Sequence, residues 1–154
     1  DAVVWDLGAG TGSVSIECAR MCPFGEVYAV EYKPEALDNL EQNKARFQTE
    51  NLQIVAGRAE EQVQHLPVPD CVFLGGSSGA AKQLVAGLRQ LRQPVRLVAS
   101  AVTMETQAEL FPLLQELPHF EVVQLAVSCG KTVGNYHVLE GNHPVLLFSC
   151  MTKE

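Results

Sequence analysis

Three glycines alternate with other residues directly after an apolar run that contains an acid. The run is "VVWDL" at residues 3–7, with Asp6 as its charge, and Gly8, Gly10 and Gly12 follow it. Glycine lets the backbone approach a ligand closely because it carries no Cβ atom. A helix that begins just after such a loop adds unpaired backbone N–H groups. The loop therefore predicts a cofactor cradle, and a tight strand-to-helix turn without a ligand is the alternative.

A second acid, Glu31, ends the next apolar run. A carboxylate at this place can accept hydrogen bonds from both hydroxyls of a ribose, in a dinucleotide or in S-adenosylmethionine. The dinucleotide fingerprint needs a third small residue, and that position falls on Ser13, which is a partial match. Asp6 would lie awkwardly near a pyrophosphate but suits the ammonium of a methionine group. The two acids together favour S-adenosylmethionine as the ligand. Two alternatives stay open: Asp6 caps the loop without contacting a ligand, or Glu31 is a solvated strand end.

Apolar runs alternate with helical patterns along the chain. Strands are predicted at 2–7, 26–31, 52–57, 71–76, 95–101, 120–128 and 144–150, and helices at 13–22, from Pro34 to Phe47, at 80–91 and at 104–117, where Pro112 must kink or split the last one. This alternation predicts a doubly wound α/β fold with a mostly parallel, seven-stranded, Rossmann-like sheet. The last two strands have no helix between them and are expected to form an antiparallel edge pair. Residues 129–143 are expected to be a loop.

Composition narrows the classes of protein. The 154 residues suffice for one domain, 1–154, with a sizeable core. A formal charge of −7 argues against a nucleic-acid partner, and no apolar run is long enough to cross a membrane. Five cysteines, an odd number spread over strands and helices, favour free thiols in a reducing cytoplasm, and no metal site is predicted. Since the chain opens on a strand without Met, an upstream segment or a fused domain is expected.

Several segments resemble a known family. "WDLGAGTGSVSIE", "VYAVEYKPEAL" and "VFLGGSSG" resemble class I methyltransferases. Together with "AVTMET" and "GNYHVLEGNHPV" later in the chain, they resemble the decarboxylating precorrin methyltransferases of cobalamin biosynthesis. That family acts at carbon-15 of a tetrapyrrole, as a free enzyme or as the C-terminal half of a fused carbon-5,15 enzyme. The resemblance implies S-adenosylmethionine as cofactor, a precorrin substrate, a methyl transfer coupled to decarboxylation of an acetate side chain, and a homo-tetramer.

The resemblance also implies site residues. In addition to Asp6, it implies that cofactor contacts come from Gly8, Ala9, Gly10, Thr11, Gly12, Glu31 and Ala59. The chain departs from the family at Arg58, where an aspartate that could accept from the adenine amino group is common. The resemblance further implies a segment before the first strand that helps to close the cofactor site, and the 154 residues are expected to lack it.

Candidates for the substrate side are fewer. The loop with Gly76 and Ser77 should face the transferred methyl group, because it follows the fourth strand. Thr103 is either a helix N-cap or part of the substrate rim. Lys131 is a donor for substrate carboxylates or a solvated loop charge. Tyr136 and His137 are the catalytic candidates, against packing for the first and a structural hydrogen bond for the second.

Other functions remain open from sequence. The nearest is another small-molecule or RNA methyltransferase on the same fold, although the chain lacks an Asn-Pro-Pro-Tyr tetrad after the fourth strand. A nicotinamide-dependent oxidoreductase is disfavoured by Ser13 and Asp6. A non-catalytic module that binds the cofactor only to stabilise an assembly is a third class.

Overall fold

The computed structural model describes residues 1–76 and 79–154. Within these residues the strands are β1 (Val3–Leu7), β2 (Glu26–Glu31), β3 (Leu52–Ala56), β4 (Cys71–Leu74), β5 (Arg96–Ala101), β6 (Glu121–Leu125), β7 (Ser128–Val133), β8 (Tyr136–Gly141) and β9 (Val145–Met151). The helices are α1 (Ser13–Met21), α2 (Pro34–Phe47), α3 (Ala59–Gln62), α4 (Ala81–Gln90) and α5 (Met104–Leu114), with a 3-10 turn at Val63–His65.

Seven strands form one sheet in the order β3-β2-β1-β4-β5-β9-β6. The pairs among β1 to β5 are parallel, and β9 lies antiparallel between β5 and β6. The predicted α/β fold with its antiparallel last pair is therefore confirmed. Since the order reverses on either side of β1, the carboxyl ends of β1 and β4 flank the point where ligands bind in such sheets.

The two sides of β1 face two different cores. Along β1, Val4 packs with Ile16 of α1 and Leu40 of α2, whereas Trp5 and Leu7 pack on the other side. That second core contains the buried face of α4, whose members recur three and four residues apart as the sequence predicts: Ala81, Leu84, Val85 and Leu88. Each fully buried leucine contributes about 1.5–3 kcal/mol to the stability of the fold.

Residues 129–143 correct the sequence prediction, because most of them form a hairpin and not a loop. Within the described residues, strands β7 and β8 pair with each other alone, in a sheet separate from the main one. A two-residue turn, Gly134 and Asn135, joins them. Gly134 has φ +60°, as a type II′ turn requires at its first central residue. Every residue of both strands is exposed.

Two helical segments also differ from prediction. Pro112 does not split α5, which runs unbroken to Leu114, so the helix ends three residues before the predicted boundary. Pro112 lies in the last turn, where the missing N–H costs one bond near the helix end. The polar connection after β3, for which the sequence predicts no helix, contains α3 and the 3-10 turn.

No helix among the described residues is long and apolar enough to cross a membrane.

Candidate cofactor cleft

The three glycines after β1 serve different purposes, although all have positive φ. A Cβ atom on Gly8 would lie 2.7 Å from the carbonyl oxygen of Gly76, and one on Gly12 would collide with the side chain of Leu40. A Cβ atom on Gly10 would meet no atom of the described residues within 4 Å. Packing within the fold therefore explains Gly8 and Gly12, whereas open space at Gly10 is what a ligand would use.

A cleft of about 310 Å³ opens at this edge of the sheet. It lies at the carboxyl ends of β1 to β4, because its walls come from the loops that follow these strands. The residues that line it are Gly8, Gly10, Val30, Glu31, Tyr32, Lys33, Ala36, Gly57, Arg58, Ala59, Glu60, Gly75 and Gly76. Of the predicted cofactor residues, Gly8, Gly10, Glu31 and Ala59 are thus part of its wall.

Glu31 is held in place by backbone donors. Its Oε2 accepts from the N–H of Gly10 at 2.9 Å, and its Oε1 accepts from those of Tyr32 at 2.8 Å and Lys33 at 2.9 Å. Burial raises the pKa of this carboxyl, but the three bonds outweigh burial and the net pKa is lowered. A carboxylate offers about four acceptor positions, so one remains on Oε2 for a ligand hydroxyl.

Asp6 lies below the glycine loop, not on the wall of the cleft. It is 1% exposed, and its Oδ2 accepts a short hydrogen bond from the hydroxyl of Ser15. Its other oxygen, Oδ1, is buried and has no hydrogen-bond partner in the part of the chain that the structure describes. Burial raises the pKa of Asp6 to about 6, although the bonds from Ser15 oppose the rise. A buried acceptor without a donor is the kind of group that a cationic ligand nearby would stabilise.

The other predicted loop residues support the loop from its sides. The backbone N–H groups of Gly8 and Ala9 both donate to the carbonyl of Val30, at 2.9 and 3.1 Å, which ties the loop to the end of β2. The carbonyl of Thr11 accepts from the Asn43 side chain at 3.0 Å. Ala9, Thr11 and Gly12 are therefore close to the cleft without lining it.

The substrate candidates are spread over three places. Gly76 lines the cleft, and Ser77 lies outside the described residues. Thr103 is the N-cap of α5, since its hydroxyl oxygen accepts from the N–H of Thr106 at 3.2 Å. It is nevertheless exposed, so its side chain remains accessible at the end of β5.

Lys131, Tyr136 and His137 belong to the hairpin and are all exposed. The Lys131 ammonium donates to both carboxylate oxygens of Glu140 at 3.0 Å, across the paired strands. Tyr136 is 77% exposed, so the packing alternative does not hold for it in this chain. Among residues 1–76 and 79–154, those that line the cleft include none from the hairpin.

Sequence reasoning missed a polar group at the far end of the cleft. The Arg58 guanidinium carbon lies 5.3 Å from the centre of the Tyr32 ring, and the ammonium of Lys33 lies 5.8 Å from the same ring. The Nε of Arg58 donates to Oε1 of Glu60 at 2.7 Å. Tyr32 and Lys33 could have been noticed because they follow Glu31 directly, whereas no pattern distinguishes Glu60 from its acidic neighbour.

Sheet order, glycine loop and strand-end acid together define an α/β domain of the methyltransferase type, with a candidate cleft for a nucleotide-type cofactor at the carboxyl ends of β1 to β4. The family profile described as precorrin methyltransferase domain matches residues 1–152, and the chain belongs to that family. The predicted family and the predicted enzyme class are thereby confirmed.

Relatives with names support the same assignment. The chain is 36% identical over 155 residues to cobalt-precorrin-6B C(15)-methyltransferase (decarboxylating) of Salmonella typhimurium, an alignment that covers 97% of this chain and 78% of the relative. It is 33% identical over 108 residues to precorrin-6Y C(5,15)-methyltransferase [decarboxylating] of a Sinorhizobium species, covering 70% of this chain and 26% of that protein. The names of these relatives agree with the predicted reaction.

A solved structure shows the same fold. The crystal structure of precorrin-6y C5,15-methyltransferase from Geobacter metallireducens superimposes with a TM-score of 0.84 at 33% identity, and the match covers 100% of this chain and 80% of that one.

Proposed function

We propose that this chain methylates a precorrin at carbon-15 with S-adenosylmethionine and decarboxylates an acetate side chain of the same substrate, in cobalamin biosynthesis. One observation carries the proposal. In a chain of the precorrin methyltransferase family, Gly10 leaves open space beside a Glu31 carboxylate that backbone donors keep ionised. S-adenosylmethionine fits this arrangement, because a hydroxyl of its ribose can donate a hydrogen bond to Glu31 and its methionine end can lie over the glycine loop.

When bound, the cofactor supplies an electrophilic methyl group on a sulfonium. The protein's part is to hold the acceptor carbon in line with it, which accounts for most of the rate acceleration in such a displacement. Glu31 would fix the ribose, and Gly10 would admit the methionine end. Asp6, being buried below the loop, would act on the ligand ammonium through its electric field, and binding would favour the ionised form of Asp6.

The two halves of the reaction use the same conjugated ring. Decarboxylation breaks a carbon–carbon bond, releases carbon dioxide and leaves its electron pair in the macrocycle. Methylation would form a carbon–carbon bond with electrons from the macrocycle, while the bond between the methyl group and sulfur breaks and leaves its electron pair on the released thioether. No strong protein base is required, so the site needs chiefly donors for the substrate carboxylates. Lys131 in the hairpin and the loop after β4 are the proposed donors, with Thr103 at the rim.

The experiment is mass spectrometry of the product formed by the full-length gene product from a precorrin acceptor and S-adenosylmethionine. We expect one added methyl group and one lost carbon dioxide in the same molecule. Methyl gain with the acetate retained would leave a methyltransferase and remove the decarboxylating assignment. Turnover of another acceptor but of no corrin precursor would overturn the substrate assignment.

We also propose that residues 1–154 are one domain of a homo-oligomer, with a tetramer as the expected state. The hairpin supports this, because a two-stranded hairpin on its own is marginally stable and its exposed side chains include Val133, Tyr136 and Leu139. Sedimentation of the wild type and of Leu139→Lys is the test; a monomeric wild type contradicts the proposal. The same proposal includes covalent linkage to a carbon-5 methyltransferase, because the name of the Sinorhizobium relative indicates both activities in that protein. It also includes a cytoplasmic location, because the five cysteines are free thiols.

A further inference from the structure

The end of the cleft beyond Glu31 carries a fixed polar group. It consists of Tyr32, Arg58 and Glu60, which all line the cleft. The side chain of Arg58 is 44% exposed and lies over the Tyr32 ring, while that of Glu60 is 20% exposed and is bonded to Arg58. The bond from Arg58 lowers the pKa of Glu60, so this side chain is an ionised acceptor at neutral pH. The reaction described above uses none of the three.

Sheet order determines which part of the cofactor reaches this group. Glu31 ends β2, which lies between β1 and β3. A ribose bound to Glu31 therefore has the glycine loop of β1 on one side and the residues after β3 on the other. The sulfonium must lie on the β1 side, because the loop after β4, where the acceptor is proposed to bind, touches Gly8. The base is left to the β3 side, against Tyr32, Arg58 and Glu60.

An adenine base presents an exocyclic amino group that donates hydrogen bonds, so its recognition calls for an acceptor. Among the described residues two carboxylates line the cleft, Glu31 and Glu60. Glu31 already accepts from three backbone N–H groups and is assigned to the ribose. Arg58 is a donor and cannot serve. Resting on the cofactor proposed above, we propose that Glu60 accepts from the adenine amino group and that Arg58 positions its carboxylate.

An acceptor at Glu60 would compensate for the cation at position 58. Position 58, where the resemblance leads to an expected aspartate, holds a cation, and the acid stands two residues further along the same turn. The acid and the cation form a pair, so the acceptor is fixed before the base arrives. The Tyr32 ring gives the base a flat surface beside that pair.

Calorimetric titration with two ligands tests the proposal without turnover. S-adenosylhomocysteine carries the amino group, and S-inosylhomocysteine carries a carbonyl oxygen in its place. A carboxylate repels that oxygen, so the wild type should bind the adenosyl ligand at least about 10-fold more tightly. In Glu60→Gln the side chain can also donate, and the preference should fall by about 10-fold or reverse. Glu60→Ala should likewise lose the preference, which keeps the test decisive should Glu60→Gln fail to fold.

Two controls separate recognition from structure. Glu61→Gln changes the exposed neighbour on the same turn, which does not line the cleft, and should leave the preference unchanged. Arg58→Leu should lower the preference, and Arg58→Lys, which keeps a cation beside Glu60, should restore most of it. Tight binding with an unchanged preference in Glu60→Gln and Glu60→Ala overturns the role of Glu60 and leaves the cofactor proposal standing. Failure of the wild type to bind S-adenosylhomocysteine overturns both.

Discussion

The cofactor cleft and the β7–β8 hairpin both contain predicted site residues, but they are built in opposite ways. In the cleft, Glu31 is buried and bonded to three backbone donors, and Gly8 is packed against the backbone of Gly76. In the hairpin, the Lys131–Glu140 pair is 57% and 63% exposed. The difference teaches that contacts within the chain fix the side chains and glycines at the strand ends, whereas contacts within the chain leave the hairpin side chains exposed.

The largest expected effect comes from filling the open space at Gly10. Gly10→Val should weaken binding of S-adenosylmethionine at least about 100-fold, because a branched side chain would occupy the cleft and its φ of +56° disfavours a Cβ atom. Calorimetry gives the affinity, and circular dichroism should show the fold retained. Unchanged affinity would remove the idea of a cradle.

Gly134→Val is the matched control in the hairpin. Gly134 has a similar φ of +60°, and a Cβ atom there also meets no described atom within 4 Å. Both variants should lose a similar amount of stability to backbone strain, of order 1–2 kcal/mol, but the hairpin variant should keep its cofactor affinity. Equal losses of affinity in both would show that strain, and not occupied space, weakens binding.

The second effect concerns Glu31. Glu31→Ala should weaken binding of the cofactor by about 1.5–3 kcal/mol, because a charge-assisted hydrogen bond to the ribose is lost. Glu26→Ala, at the exposed opposite end of the same strand, should leave affinity unchanged. A loss of folding stability in Glu31→Ala with full affinity would favour the view that this acid only orders its three backbone donors.

A smaller and pH-dependent effect is expected at Asp6. Because its pKa is about 6 in the folded protein, against 3.8 ordinarily, the native state holds a proton that the unfolded state has lost between those pH values. The free energy of unfolding therefore falls as pH rises from 4 to 6. Asn does not titrate, so Asp6→Asn should be about 1–2 kcal/mol more stable than wild type at pH 7.5 and no more stable at pH 4.

Denaturant unfolding at both pH values measures this effect, with the exposed Asp38→Asn as a control that should change stability by less than about 0.5 kcal/mol. Asp6→Asn should also weaken binding of the cofactor, since the field of the carboxylate on the ligand ammonium is lost. Wild-type affinity for the cofactor should accordingly fall as pH drops below 6. A destabilised Asp6→Asn at pH 7.5 would contradict the cost assigned to the buried charge.

The smallest expected effect on stability is in the hairpin. Lys131→Ala should change the free energy of unfolding by less than about 0.5 kcal/mol, because exposed ion pairs contribute little. It should raise the acceptor KM about 3–10-fold with cofactor affinity unchanged, as loss of a binding contact does. Glu140→Ala frees the same ammonium and should lower the acceptor KM. If neither variant changes it, the hairpin does not hold the substrate.

The parallel half of the fold could be predicted because alternating strands and helices leave few topologies. The hairpin was missed although a signal existed: "KTVGNYHV" places Gly-Asn between two segments with strand-forming residues. Its charged and polar side chains obscure the alternation, since neither face is buried. The four residues of α3 are too few for a helical period to be visible.

At the site, sequence supplied the residue types but not their surroundings. The open space at Gly10 agrees with the predicted cradle, which stays a prediction, whereas the packing reasons for Gly8 and Gly12 depend on Gly76 and Leu40, which only folding brings near. The acid at position 6 was evident, but its burial and its unbonded oxygen were not. The position of the Glu60 side chain depends on its bond from Arg58, which lies over the Tyr32 ring. No pattern in the linear sequence reveals such an arrangement of three side chains.

The close approach of Gly8 to Gly76 joins two loops that come from neighbouring strands, one beside the proposed cofactor and one beside the proposed acceptor. The N–H of Gly75 also donates to the carbonyl of Leu7 at 2.9 Å, so neither loop can shift without the other. A ligand that orders the first loop should therefore also order the second. Less conformational entropy is then lost when the second ligand binds. Linkage then makes the benefit mutual: a bound acceptor should tighten the cofactor by the same factor as the cofactor tightens the acceptor.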